Sequence, residues 1–299
     1  IQIDSLGFIG SPLTFSGGMG LRSTAGNISG SYKFDFSKAA PYYEVDARTE
    51  KLDISKYVNL PFNLTSKIRA RGHGFNPENA EFELDFDGDQ STIGKYFFDR
   101  FTVKTKGNNG KIGFQLSASL PGAQQGEIKG DLDMSDFKSP SYSISSTFRN
   151  IDLEYFAGNS MENSSINFTF DAEGKGFNPD DMVLNANLNL LDTKIKGDSL
   201  GEIDANIKLT ATPDMQKDIF ITSNLFTMST AGRFSYATLG TNLGTESTNL
   251  FADLSKILSN YYPDFFEDSA AVANAKAPVP TNRGFSVKSN DSLSYSLQV

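Results

Sequence analysis

The sequence predicts an all-β chain, a long antiparallel meander with one amphipathic helix near its C-terminal end. Three observations carry this expectation. Apolar and polar residues alternate with a period of two in segment after segment, which puts every second side chain on one face of a strand. Turn residues recur roughly every ten positions, the spacing of short strands joined by hairpins. A unit of about a hundred residues is also written twice, as set out below.

Taken in order, the opening IQIDSLGFIG already alternates like a strand, with neither a basic leading region nor a cleavage pattern. The expectation is a processed chain or a segment of a longer one. SGGMG (16–20) is Gly-rich, matches no phosphate-binding pattern and precedes no helix, so a turn or bulge is expected there. Four segments alternate most strictly. In AEFELDFDG, Phe82, Leu84 and Phe86 alternate with Glu83, Asp85 and Asp87. In SSINFTFDAEG, Ile166, Phe168 and Phe170 alternate with Asn167, Thr169 and Asp171. In LNANLNLLD, Leu184, Leu188 and Leu190 do so with Asn185, Asn187 and Asn189, and in GEIDANIKLTA, Ile203, Ile207 and Leu209 follow the same rule. These twelve apolar residues are expected to form one continuous surface. A strand buried on both faces would read as an unbroken apolar run, and these do not. Helical spacing occurs in STNLFADLSKILSNYY, where Leu250, Phe251, Leu254, Ile257, Leu258 and Tyr261 share a face, so a helix is expected over 249–262. Thr248 or Asn249 would cap it and Pro263 would stop it. An aperiodic loop is expected over 268–283 and a last strand over 284–299.

Composition narrows the function classes. With 27 Lys+Arg against 36 Asp+Glu the net charge is −9, opposite to the basic footprint of a nucleic-acid binder. There is no Cys, so disulfides and thiolate metal sites are excluded. The 25 Phe residues bring apolar area with no polar atom to satisfy. No run approaches the length of about 18 apolar residues that a spanning helix needs.

Candidate chemical sites are few. His73 is the one imidazole, and the second copy of its motif has Lys175 instead, so it reads as a solvent-facing turn residue. DFDGDQ (85–90) has some calcium-loop character but lacks the remaining ligands and the terminal Glu. A strand accounts for Asp85 and Asp87, and a turn for Gly88 and Asp89. No Ser/His/Asp set can be assembled around a single His, so the chain is read as a non-enzyme with no metal and no cofactor.

The duplication is most visible in GHGFNPEN (72–79) and GKGFNPDD (174–181), 102 positions apart. Asn followed by Pro reads as a turn start, so the octet is a strand-to-strand turn. Pro41, Tyr43, Val45 and Leu52 match Pro140, Tyr142, Ile144 and Ile151 at a spacing of 99. STAG occurs at 23–26 and 229–232, about two periods apart, and hints at the start of a third copy. The expected organisation is leading strands over 1–25, repeats over 26–125 and 126–231, a partial repeat with the helix over 232–267, the loop, and the terminal strand.

The carrying segments are YKFDFSKAAPYYEVDARTEKLDISKY and LPFNLTSKIRARGHGFNPENAEFELDFDG, then SYSISSTFRNIDLEYF and INFTFDAEGKGFNPDDMVLNANLNL. Together they resemble the periplasmic repeat region of the AsmA/TamB-like proteins, in particular their Bacteroidetes members. In that family an x-L-D-L-S-x-L-like segment precedes a G-K-G-F-D-P-D-D-L-like one, here Leu52–Tyr57 with Gly72–Asn79, then Ile151–Phe156 with Gly174–Asp181. The resemblance covers about 25–240. It implies a β-taco, the meander curled into an open groove that is apolar inside and polar outside, akin to bridge-like lipid-transfer proteins. It further implies a periplasmic location, an inner-membrane anchor outside this chain, an outer-membrane protein partner, and phospholipid or another acyl-chain lipid as cargo. Neither the family's N-terminal membrane helix nor its C-terminal TamB domain is recognisable in these residues. On this reading the twelve alternating residues line a lipid groove. About 25 strands at ~4.8 Å each would span on the order of 120 Å, and each acyl CH₂ moved into such a groove gains roughly 0.8 kcal/mol. The alternative reading is a structural or adhesive β-repeat array whose apolar face is packed shut and takes no ligand.

Overall fold

The structure, a computed structural model, describes residues 2–55, 60–76, 79–157, 162–178, 182–211, 216–233, 282–286 and 292–298. The first strands are β1 (Gln2–Gly10), β2 (Thr14–Ser23), β3 (Gly26–Asp35), β4 (Tyr42–Asp53), β5 (Phe62–His73) and β6 (Glu81–Ile93). They are followed by β7 (Tyr96–Asn108), β8 (Lys111–Leu120), β9 (Gln124–Asp133), β10 (Ser141–Asp152), a short helix α1 (Leu153–Ala157), β11 (Ser165–Lys175) and β12 (Val183–Ile195). The last are β13 (Asp198–Ser199), β14 (Ile203–Ala211), β15 (Gln216–Ser223), β16 (Thr227–Arg233), β17 (Asn282–Ser286) and β18 (Ser292–Gln298).

These strands form one 18-stranded antiparallel sheet. From β1 to β12 each strand pairs with the one before it, as a hairpin meander requires. β12 continues to β14, with the two-residue β13 as a side branch, and β16 pairs with β18, which pairs with β17. The sheet is curled and open: β1 and β17 are its edges, and no pairing joins them into a barrel. No helix of the described residues is long and apolar enough to cross a membrane.

Four expectations are corrected. The strands are longer than foreseen, up to 13 residues in β6, β7 and β12, and the described residues form 18 against an expected total of about 25. At ~4.8 Å each the row spans on the order of 80 Å. SGGMG is neither turn nor bulge but the middle of β2, and Gly88 and Asp89 are not a turn but lie inside β6. The expected single terminal strand is two, β17 and β18. The helix expected over 249–262 lies outside the described residues, and so does the loop expected over 268–283 except for Asn282 and Arg283, which belong to β17.

The duplicated sequence makes duplicated structure. Gly74, at φ +74°, donates its N–H to Pro41 O at 2.8 Å, and Gly176, at φ +81°, donates to Pro140 O at 2.8 Å. Asn79 N donates to Asn76 O at 3.0 Å, so the octet turns the chain between β5 and β6. Tyr43 stacks on Phe75 with ring centroids 5.2 Å apart, and Tyr142 on Phe177 at 5.5 Å. Lys51 and Asn150 take matching left-handed conformations at register shifts, as do Gln90 and Asp192. Beside the latter pair, the buried hydroxyls of Ser91 and Thr193 accept from Thr65 N at 3.2 Å and Asn167 N at 3.4 Å, taking up the backbone groups that a bulge releases. The STAG match does not extend this equivalence. Its first occurrence is the β2–β3 turn and its second lies within β16.

α1 follows from its cap: Asp152 Oδ1 accepts from Glu154 N at 2.9 Å. Tyr155 then ties the helix to β7, its hydroxyl accepting from Phe97 N at 2.8 Å.

Candidate functional site

Register decides which side chains share a face, since directly paired residues point the same way. Following the pairs from strand to strand, Leu6, Met19, Gly30, Ala47, Ile68, Phe86, Val103, Leu116, Ile128, Ser146, Phe170, Leu188 and Ala205 form one row across the sheet. A parallel row carries Leu84, Phe114, Ile144, Ala186, Ile207 and Ile221, another Phe82, Ile112, Leu132, Leu184, Leu209 and Ile219, and another Phe101, Phe148, Phe168, Leu190 and Ile203. Ile166, two positions before Phe168, joins the same face opposite Ile151. The register thus places Phe82, Leu84, Phe86, Ile166, Phe168, Phe170, Leu184, Leu188, Leu190, Ile203, Ile207 and Leu209 on one face of one sheet.

This face is sheltered but not sealed. Of those twelve residues only Leu209 is buried, and the other eleven are half-buried. The buried apolar set is small: Ala47, Leu64, Ala80, Leu120, Ala172, Ala186 and Leu209. None of the Phe residues whose side chains are described is buried. A sheet packed against a second layer would bury its aromatic residues first, because they carry the most apolar area.

The face has a built floor that periodicity alone does not reveal. Seven inward aromatic residues each lie directly opposite a glycine: Tyr32 over Gly17, Tyr43 over Gly72, Phe101 over Gly88, Phe82 over Gly107, Phe148 over Gly126, Phe114 over Gly130 and Tyr142 over Gly174. A Cβ placed on any of these glycines would come within 3 Å of the facing ring, so the rings lie flat along the sheet. Gly17 is in β2 for this reason, with Tyr32 crossing it to donate its hydroxyl to Gly7 O at 3.0 Å. The one trace in the sequence is that these glycines occupy apolar positions of the alternation, as in Gly126, Ile128, Gly130 and Leu132 of β9. Burial pushes the phenols of Tyr43 and Tyr142 above their ordinary pKa.

The opposite face is charged. Arg71 Nε donates to Glu83 at 2.7 Å, Lys106 lies 2.8 Å from the same carboxylate, and Arg69 pairs with Asp46 at 3.5 Å. Hydrogen bonds from Lys106 and Arg71 hold the Glu83 carboxyl below the usual carboxylate range. Such exposed cross-strand pairs add little stability but keep the face wet. An open hollow of about 510 Å³ on this side has Arg100, Thr102, Ser117, Glu127, Thr147 and Arg149 among its lining residues. It holds no His, Cys or paired carboxylates. His73 is exposed at the end of β5 rather than in the turn, its ring 5.0 Å from Tyr42. Among the described residues no group of His, Cys, Asp or Glu is placed to hold a metal. Comparison with known protein families, curated proteins and solved structures found no match.

Proposed function

We propose that this chain is a segment of a periplasmic lipid-transfer bridge of the AsmA/TamB-like kind, holding phospholipid acyl chains along its apolar face between inner and outer membrane. The observation that carries the reading is an apolar face, continuous over the row of strands, whose aromatic residues stay half-exposed. Water against such a face is costly, and acyl chains relieve that cost without specific contacts, by roughly 0.8 kcal/mol per CH₂ transferred. Flat rings over glycines favour the same use. They leave a smooth floor, along which a flexible chain slides without meeting a standing side chain. An inner-membrane anchor and an outer-membrane protein partner belong to this proposal.

The test is site-specific photo-crosslinking in cells. Crosslinkers at Phe86 and Phe168, on the apolar face, should capture lipid, and crosslinkers at Asp85 and Asn167, on the other face, should not. If the inward pair captures only protein, the face is a packed core of a structural array. Capture of lipid by both sets would mean that the two faces do not differ as proposed.

A further inference from the structure

The odd-numbered hairpins of a meander all fall along the same side of the sheet. Here these are the loops after β1, β3, β5, β7, β9 and β11, and they form one rim parallel to the row of strands. On this rim Leu13 is 57 % exposed, Phe36 39 %, Phe75 61 %, Phe137 44 % and Phe177 56 %. Phe75 and Phe177 occupy equivalent places in the two copies of the octet, whereas Phe36 and Phe137 each follow an Asp but at different places in their loops, the register making Met134 the counterpart of Phe36. The opposite rim exposes only Leu60 and Phe156 among its described large apolar residues.

The rim residues connect with the apolar face. Phe75 stacks on Tyr43 and Phe177 on Tyr142, both of them floor residues, and Phe36 lies against Phe34 at 5.8 Å and Phe75 at 6.3 Å. Phe36 N donates to Leu13 O at 2.6 Å, fixing the first two loops to each other. By sequence these loops carry Lys38 and Lys138 against Glu78, Asp136, Asp180 and Asp181, in a chain of net charge −9, so the phenylalanines and not a basic patch are what the rim offers a bilayer.

We propose that this rim docks side-on to a lipid bilayer, with Phe36, Phe75, Phe137 and Phe177 entering the interfacial layer. This rests on the lipid reading above and adds where lipid enters. Protein partners are recognised through a contiguous patch with anchors seated in pockets. This rim offers side chains on a line of hairpin tips, with Phe36 beside Phe75, spread over roughly 50 Å at the spacing of strands. A fluid layer closes around each one, as it does around the apolar face of an interfacial helix. The stacked pairs Tyr43–Phe75 and Tyr142–Phe177 then form two aromatic thresholds between bilayer and floor.

The absence of Trp makes the test direct. Single-Trp variants Phe75→Trp and Phe177→Trp are compared with Thr24→Trp on the opposite rim and Phe86→Trp on the apolar face, each checked for unchanged strand content. With phosphatidylcholine vesicles brominated in their acyl chains, emission at 75 and 177 should shift to the blue and be quenched, and emission at 24 should not. Phe75→Asp and Phe177→Asp should each weaken vesicle binding about tenfold. No quenching at 75 and 177, or equal quenching at 24, overturns the docking. The groove is tested separately with brominated short-chain phosphatidylcholine below its micelle concentration, read at Phe86→Trp. Quenching there without rim quenching leaves the groove and removes the docking. Rim quenching without it leaves the docking and removes the groove.

Discussion

Gly126→Ala is the sharpest test of the flat-ring floor. Gly126 needs no left-handed backbone, so alanine is excluded only by what its Cβ would meet. That is Phe148 alone, with Cδ1 and Cε1 both 2.9 Å away. Ordinary contact begins near 3.4 Å, so the ring must lift by about half an ångström or more. It is held from its other side by Phe168, stacked at 4.5 Å. Overpacking of this size costs about 1–3 kcal/mol, and the lost strand entropy of glycine returns roughly 0.5–1. Gly126→Ala should therefore destabilise by about 1 kcal/mol. With Phe148→Ala already present the clash is gone, and the same change should stabilise by roughly 0.5–1 kcal/mol. Urea unfolding of the four proteins, followed by circular dichroism, gives a coupling of about 2 kcal/mol. Additivity within about 0.5 kcal/mol would show that the ring does not rest on Gly126 and would refute the floor.

Other outcomes follow from the same geometry. Phe168→Asp should abolish lipid capture while leaving strand content intact, because neighbouring strands supply most of the burial; unfolding of the whole sheet would contradict this. His73→Lys should change neither melting temperature nor lipid capture, since the second copy carries Lys175 at the matching place. Glu83 has a folded pKa below its ordinary value, so its contribution is present above the carboxylate range and is lost as pH falls through about 4 and below. Glu83→Gln should flatten the acid limb of a stability–pH curve, and unchanged steepness would show that the pair with Lys106 and Arg71 contributes nothing.

What the sequence made legible was whatever a single strand encodes in its own period. The alternation of Phe82, Leu84 and Phe86 with acidic residues sorts the faces of β6, and the repeated octet marks the β5–β6 turn. What depends on a neighbour's register was not legible. Gly17 and Gly88 read locally as turn residues, because glycine weakens a strand and favours turns. They are strand residues because Tyr32 and Phe101 lie across them. STAG failed for a related reason: four small residues fit a hairpin turn at 23–26 and a strand at 229–232 equally well. The octets of Phe75 and Phe177 were legible as turns, but their alignment on one rim with Phe36 and Phe137 required the strand count between them.

β10 lies six strands on from its counterpart β4. An even number restores strand direction, so the next unit begins with the same end up, the same face inward and its loops along the same side. Duplication of this stretch, or its excision, would lengthen or shorten the row by about 29 Å and leave every neighbour's environment unchanged. A gain of three strands would reverse the polarity of all that follows and exchange the two rims. The reach of such a protein can therefore evolve in whole steps by recombination between like segments, and a fitted span is matched to the nearest step rather than tuned residue by residue.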